Sequence, residues 1–333
     1  MKQVLVFVWI VALTAVTGCG DSGSGDKGGS GGNGPFRIAV IPKGTLHEFW
    51  KSVEAGARNA DAEFDDVTVT WKGPVSEGNS DQQIEITEGF IADGYDGICL
   101  APSDAVAMRK PVDQALEYDV PVVVLDSALA DDRGIVSYVA TNNYRGGQLA
   151  GRYLAELLGQ QGKVIIMLYQ INSESTEQRE RGFLETMAEY PNIELLSQNE
   201  YGGPGEDKAI DVGENLLSNF GDEVDGIFCP NESTASGMLT ALRRDPRGLA
   251  GKVKFVGFDA SDNLVDGLKS GHLHGTILQD PVQIGYESVR VMRDHLLGKS
   301  DLPERLETRE HLARFDALDD PVTVQLLYPE AVE

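Results

Sequence analysis

The chain offers little from which to build a redox or metal centre. Its 333 residues include only 3 cysteines (19, 99 and 229) and 5 histidines. That count excludes a disulfide-stapled scaffold. His47, His272, His274, His295 and His311 stand at no ligand spacing with cysteines or acids, so neither a metal nor a cofactor is expected. Long apolar runs are equally scarce: the one at 4–16 is too short to span a bilayer. Positive charge is also in deficit, with 28 Lys+Arg against 53 Asp+Glu and a net charge of −25. A surface that acidic repels phosphate backbones and anionic lipid, which argues against nucleic-acid binding.

What the chain does have begins at its N-terminus. Lys2 precedes the apolar run, which has the length of a signal-peptide core and ends in Val16-Thr17-Gly18-Cys19. That ending resembles the lipobox of bacterial lipoproteins, in which the cysteine becomes the lipidated first residue. Residues 1–18 are therefore expected to be a signal peptide and Cys19 the lipidation site. Residues 19–35 are rich in Gly and Ser and read as a flexible tether. Within it, Gly23-Ser24-Gly25-Asp26-Lys27-Gly28 fits a dinucleotide fingerprint. No strand precedes it and no helix follows, so it is low-complexity linker.

Beyond Pro35 the two halves echo each other. Asp96-Gly97-Ile98-Cys99 returns as Asp225-Gly226-Ile227-Phe228, and the apolar run ending Leu125-Asp126-Ser127 returns ending Phe258-Asp259-Ala260. Cys99 and Cys229 fall at echoing strand positions in different halves and read as small buried apolar residues. Buried runs at 37–42, 67–71, 97–101, 122–125, 163–169, 193–197, 226–229, 253–258 and 274–278 predict strands. Between them lie helical patterns at 49–64, 81–92, 105–118, 147–158, 176–190, 207–219, 233–243, 263–270 and 281–297. A last short strand is expected at 322–327. The alternation predicts an α/β fold of two doubly wound, parallel-sheet lobes. Ligands of open α/β sheets lie beyond the carboxyl ends of the strands, where Asp126 and Asp259 fall.

Phe49-Trp50, the run 121–126, Asn142-Asn143 with Gly146-Gly147, Arg179-x-x-Gly182-Phe183, Asn231-Glu232, Gly257-Phe258-Asp259 and Gln279-x-Pro281-x-Gln283-x-Gly285 occur in this order. Over residues 36–328 they resemble bacterial periplasmic sugar-binding proteins of the ribose-binding and LacI-core type. The resemblance implies the type I periplasmic binding protein fold, in which lobes joined by three hinge crossings close on a sugar. The crossings are expected near 140–142, 278–280 and 307–314. That gives an N-terminal lobe of 36–140 plus 280–308 and a C-terminal lobe of 141–279 plus 309–333.

The resemblance also implies a monomeric, lipid-anchored protein of the cell envelope. It would face the periplasm or the outer side of the cytoplasmic membrane and pass a monosaccharide to the membrane permease of an ABC transporter. The expected ligand-binding residues are Lys43, His47, Phe49, Trp50, Asp126, Ser127, Arg179, Asn231, Asp259 and Gln279. Carboxylates accept from paired hydroxyls, an arginine fork spans vicinal oxygens, amides donate and accept, and aromatic faces cover sugar C–H. Tyr201 falls near a further family aromatic, and Arg181 reads as a solvated helix arginine.

The chain departs from the ribose pattern at Lys43, His47 and Ser127. A lysine at position 43 is similar to the branch that binds autoinducer-2 and to rhamnose binders, whereas Arg179 favours an ordinary pentose or hexose. A signalling receptor that presents its closed form to a sensor would share every residue named. A transcription regulator would need an N-terminal helix-turn-helix, and the N-terminus carries a signal and tether instead. A glycosidase would use Asp126 and Asp259 as paired carboxylates.

Overall fold

The structure, a computed structural model, describes residues 34–328. The signal-peptide and lipidation readings at 1–18 and Cys19, and most of the tether, lie outside the described residues. No helix among the described residues is long and apolar enough to cross a membrane.

The chain alternates β1 (Phe36–Ile41), α1 (Glu48–Glu63), β2 (Val67–Trp71), α2 (Ser80–Ala92), β3 (Gly97–Leu100), α3 (Arg109–Glu117), β4 (Val122–Leu125) and β5 (Ser137–Thr141). It continues through α4 (Asn143–Leu157), β6 (Gly162–Leu168), α5 (Glu174–Met187), β7 (Ile193–Tyr201), α6 (Glu206–Phe220), β8 (Gly226–Phe228), α7 (Glu232–Arg244), β9 (Lys254–Phe258), α8 (Asp262–Ser270) and β10 (Gly275–Gln279). It ends with α9 (Pro281–Leu296), β11 (Arg305–Thr308), β12 (Glu310–Arg314) and α10 (Pro321–Leu327).

These strands form two six-stranded sheets, in the orders β11-β5-β4-β3-β1-β2 and β12-β10-β9-β8-β6-β7. The orders are the same winding used twice, and every pairing is parallel except β10 with β12. In each sheet the order reverses at the first strand, which places a crevice beyond the carboxyl ends of β1 and β3, and of β6 and β8.

Apolar residues cover both faces of each sheet, as buried parallel strands require. One face of the first sheet packs Trp50, Val53 and Ala57 of α1 with Ile284, Val289 and Met292 of α9. The other packs Phe90 of α2 with Met108 and Val112. Helix α9 thus follows a strand of the second sheet but packs on the first lobe. The chain passes between sheets at β5 to α4, at β10 to α9 and at β11 to β12. Thr141 and Thr308 stand 3.4 Å apart there, and Asn142 donates to Glu307 at 3.0 Å.

Four sequence expectations differ from the structure. Residues 322–327 form helix α10, not a strand. Pro321 opens it, the Asp320 carboxylate caps the Val322 and Thr323 amides, and Thr323, Leu326 and Leu327 are buried at helical spacing. Helix α3 starts at Arg109, because Asp104 holds residues 105–108 in a turn through the Val106 and Ala107 amides. Strand β5 carries Ser, Tyr and Thr among its five buried residues and shows no apolar run. The short crossing strands β11 and β12 are largely polar, with no period to read.

Helices α4 and α5 cross at a pair of glycines. A Cβ on Gly147 would stand 2.0 Å from the Arg179 carbonyl oxygen, and one on Gly182 2.2 Å from that of Tyr144. Backbone cannot yield as a side-chain tip can, so Gly147→Ala must push α5 away from α4. Overpacking of this kind costs about 1–3 kcal/mol. Thermal denaturation is expected to show Gly147→Ala clearly less stable than the parent, whereas Gly89→Ala, with no atom near its Cβ, is expected to be neutral or slightly stabilising.

Candidate functional site

The lobes meet where the strand ends of both sheets converge. Lys43 follows β1, Asp126 follows β4, Tyr169 follows β6 and Asp259 follows β9. The two aspartates share an uncommon backbone: φ is 60° at Asp126 and 66° at Asp259. Left-handed residues other than glycine persist only where their surroundings hold them. Here the surroundings are equivalent. The Asp126 amide donates to Val139 and the Asp259 amide to Ile277. The Asp126 carbonyl accepts from the Tyr138 hydroxyl and the Asn143 amide, and the Asp259 carbonyl from the Thr276 hydroxyl. Both carboxylates are thereby turned toward the cleft.

Asp126 pairs with Lys43 at 2.9 Å, and Lys43 also donates to Ser175 Oγ of the other lobe at 2.9 Å. Asp259 accepts from the Gln279 amide at 2.7 Å and from the Glu232 backbone amide at 3.1 Å, with Arg179 Nη1 at 3.7 Å. Burial raises the Asp259 pKa, and Arg179 and the Gln279 bond oppose that rise. Arg179 is only 2% exposed. Its Nε donates to Asn143, its Nη1 to the Pro230 carbonyl, and its plane lies 3.9 Å from the Phe258 ring centre. A guanidinium stacked and bonded on three sides has one geometry to offer a ligand.

Glu77, on the loop after β2, ties the lobes together. It pairs with His47 at 2.7 Å and accepts from the Trp50 indole and from the Tyr169 hydroxyl of the opposite lobe. Burial works against charge on both His47 and Glu77, but their mutual attraction prevails. It lifts His47 to about 10 and, with Lys43, brings Glu77 down to about 2. Glu232, first residue of α7, reaches across to the first turn of α1. Its carboxylate accepts from the Glu48 amide at 3.2 Å and the Phe49 amide at 3.1 Å, a carboxylate at a helix N-terminus.

Of the ten residues expected from sequence, nine line one cavity between the lobes: Lys43, His47, Phe49, Trp50, Asp126, Arg179, Asn231, Asp259 and Gln279. Ser127 does not. It is fully buried, and its Oγ accepts from the Ser175 amide, so it joins the lobes beneath the cavity. Asn231 lines the cavity and also caps α7 through the Thr234 amide. Trp50 is buried to 2% exposure and meets Phe49 edge-on at 4.9 Å. Arg181 is a solvated helix residue near Glu185. Cys99 and Cys229 are buried free thiols whose pKa values burial raises.

Sequence reading missed Glu77, Tyr169, Ser175 and Thr176, which complete the lining. Tyr201 is half-exposed at the end of β7, and the second-lobe aromatic at the cavity is Tyr169. Tyr169 follows a strand end, as the aspartates do, and that position was the signal for it. Glu77 lies in an irregular loop and carried none. The enclosed space leaves about 20 Å³ for the centre of a water, room for about one molecule. The lobes are closed on each other, with Asn172 bonded to Asp104 and the Ala128 amide to Glu174 besides the contacts above.

Two lobes of identical winding, three crossings and a charged cleft define a binding protein of the type I periplasmic fold. The family model of the periplasmic binding protein domain matches residues 38–300. The chain belongs to that family, and it is a binding protein rather than an enzyme. It is 30% identical over 267 residues, 79% of this chain and 85% of the relative, to the ribose import binding protein RbsB of Salmonella typhimurium. Among solved structures it is similar to an ABC transporter solute-binding protein from Agrobacterium vitis with bound D-fucose (30% identity, TM-score 0.83, covering 88% of this chain and 100% of that one). It is also similar to a carbohydrate transporter solute-binding protein from Agrobacterium radiobacter in complex with D-arabinose (28% identity, TM-score 0.83, covering 88% and 99%).

Burial raises Glu232 from 4.5 to about 7, against the pull of His47 and the Phe49 amide. The folded state therefore keeps a proton that the unfolded chain loses first. Stability from this group is full below about pH 4.5 and is lost as pH rises through about 7. Glu180, raised by burial to about 8, and His47, raised to about 10, extend the loss to higher pH. Burial lowers His274 and His311, which opposes the loss below about pH 6.5, so the melting temperature is expected to fall between about pH 6.5 and pH 8, and Glu232→Gln to flatten the start of that fall. A melting temperature that rises over this range would contradict the assignment.

Proposed function

We propose that this chain is the lipid-anchored receptor of an ABC-type sugar importer. It captures a monosaccharide between its lobes and presents the closed form to the membrane permease. The observation that carries this reading is the pairing of unlike polar walls across one cleft. Lys43 with Asp126 faces Arg179, Asp259, Gln279 and Asn231, with Phe49 and Trp50 beside them. The names of the relatives agree in class, being import binding proteins or solute-binding proteins with bound pentose or hexose. Val16-Thr17-Gly18-Cys19 supports the anchor and a location in the cell envelope.

In the closed form the groups that a sugar would engage bond to one another. Opening the lobes breaks Lys43–Ser175, Glu77–Tyr169 and Glu232 with the α1 amides. A sugar in the cleft replaces the Lys43–Asp126 contact with hydroxyls that donate to the carboxylates and accept from the cations. Only a ligand that touches both walls binds the closed form better than the open one, and that difference drives closure. Hydrogen bonds to charged groups contribute about 1.5–3 kcal/mol each, so a few suffice for micromolar affinity.

A panel of pentoses, hexoses, deoxysugars and autoinducer-2 is expected to contain at least one compound that raises the melting temperature. X-ray scattering should show the protein compact with that compound bound. Lys43→Met is expected to weaken its binding about tenfold or more while the protein stays folded. If no sugar on the panel shifts the melting temperature, or if Lys43→Met binds as well as the parent, the reading is wrong.

A further inference from the structure

The roomier space at this cleft lies not among the cavity's charged groups but behind them, toward the crossings. A cavity of about 320 Å³ opens between the first turns of α1 and α8, with the end of β10 and the end of α10 as its other walls. That is within the range of small-molecule sites, roughly 300–1,000 Å³. Phe49, Asp259 and Gln279 line both this space and the interlobe cavity, so they form the partition between the two. Its far wall is apolar, made by Leu278, Val265, Leu326 and Leu327.

The partition carries an unspent acceptor. Gln279 is 4% exposed and is held by one bond, from its Nε2 to the Asp259 carboxylate. Because a carboxylate can only accept, that bond fixes which end of the amide is NH2. Oε1 is then left buried with no partner among the described residues, the one such side-chain atom among them. A buried acceptor without a donor is costly unless something supplies one. A hydroxyl lying across the partition would do so.

We propose that the ligand is a sugar extended at one end, a glycoside whose ring lies among Asp126, Arg179 and Asp259. Its aglycone, an aryl or short alkyl group, lies in the hinge-side cavity against Leu278, Leu326 and Leu327. This rests on the cleft being a sugar site. Ring hydroxyls meet the charged groups and Gln279 Oε1, while the apolar end leaves water for the leucine wall.

Calorimetric titration of the full chain with free pentoses and hexoses, and with the methyl and phenyl glycosides of each in both anomers, tests the assignment. A phenyl glycoside is expected to bind about tenfold or more tighter than its parent sugar. Ser52, on the α1 wall, lines only the hinge-side cavity. Ser52→Trp fills that space and is expected to remove the gain while leaving affinity for the free sugar within about twofold. Ser52→Phe, a smaller plug, should reduce the gain in part. Glycosides that bind no better than free sugars, or a gain that survives Ser52→Trp, would overturn the proposal and leave the sugar site standing. Binding of neither free sugars nor glycosides would overturn both.

Discussion

Charge buried between two bodies has to be compensated from both of them, and the closed form of this protein depends on that. Lys43, His47 and Arg179 face Asp126, Glu77 and Asp259 in a space that holds about one water, and Glu232 lies buried outside that space. None of these charges could be buried alone without a penalty larger than the usual net stability gain of a contact. The compensation crosses the lobe boundary repeatedly: Lys43 reaches Ser175, Glu77 reaches Tyr169 and Glu232 reaches the start of α1. Closure is therefore specified by polar geometry, which a suitable ligand can take over, rather than by a greasy interface that would hold the lobes shut.

The walls of the cleft are rigid where the ligand would be read and adaptable where the lobes latch. Arg179 is stacked on Phe258, bonded to Asn143 and Pro230, and carried on a helix whose crossing with α4 leaves no room for a Cβ. Asp126 and Asp259 are fixed in left-handed backbone by matching hydrogen bonds. The latch residues Glu77 and Glu232 instead sit on a loop and at a helix start, with partners on the opposite lobe. This division suits the receptor proposed above, in which the first group would set specificity and the second the ease of opening.

Much of this was legible in the chain. The echo of strands ending in Asp126 and Asp259 predicts two windings of the same kind, and both sheets have the same order. Nine of the ten residues expected at the cleft line one cavity, because strand ends and helix starts are where an open α/β sheet exposes its ligand groups. Ser127 is the exception. Its neighbour faces the cleft, and successive residues leaving a strand point in different directions. Glu77 was invisible, since a loop has no period, and α10 was misread, since the short run Val-Thr-Val-Gln-Leu-Leu at 322–327 suits either a strand or a buried helix.

The sequence by itself determined the alternation of strands and helices, the duplication, the acidic surface and the residue types at each strand end. Those properties are local, written in side-chain period and composition. The tertiary structure alone decided the pairing of Lys43 with Asp126, the bridge of Glu77 to His47, Trp50 and Tyr169, the unpartnered Gln279 oxygen and the second cavity behind it. Each joins residues from separate parts of the chain, 83 apart for Lys43 and Asp126 (126 − 43) and 92 for Glu77 and Tyr169. No local pattern records either distance: Lys43 meets Asp126 because β1 and β4 end on the same edge of one sheet, and Glu77 meets Tyr169 because the crossings bring the ends of the two sheets together.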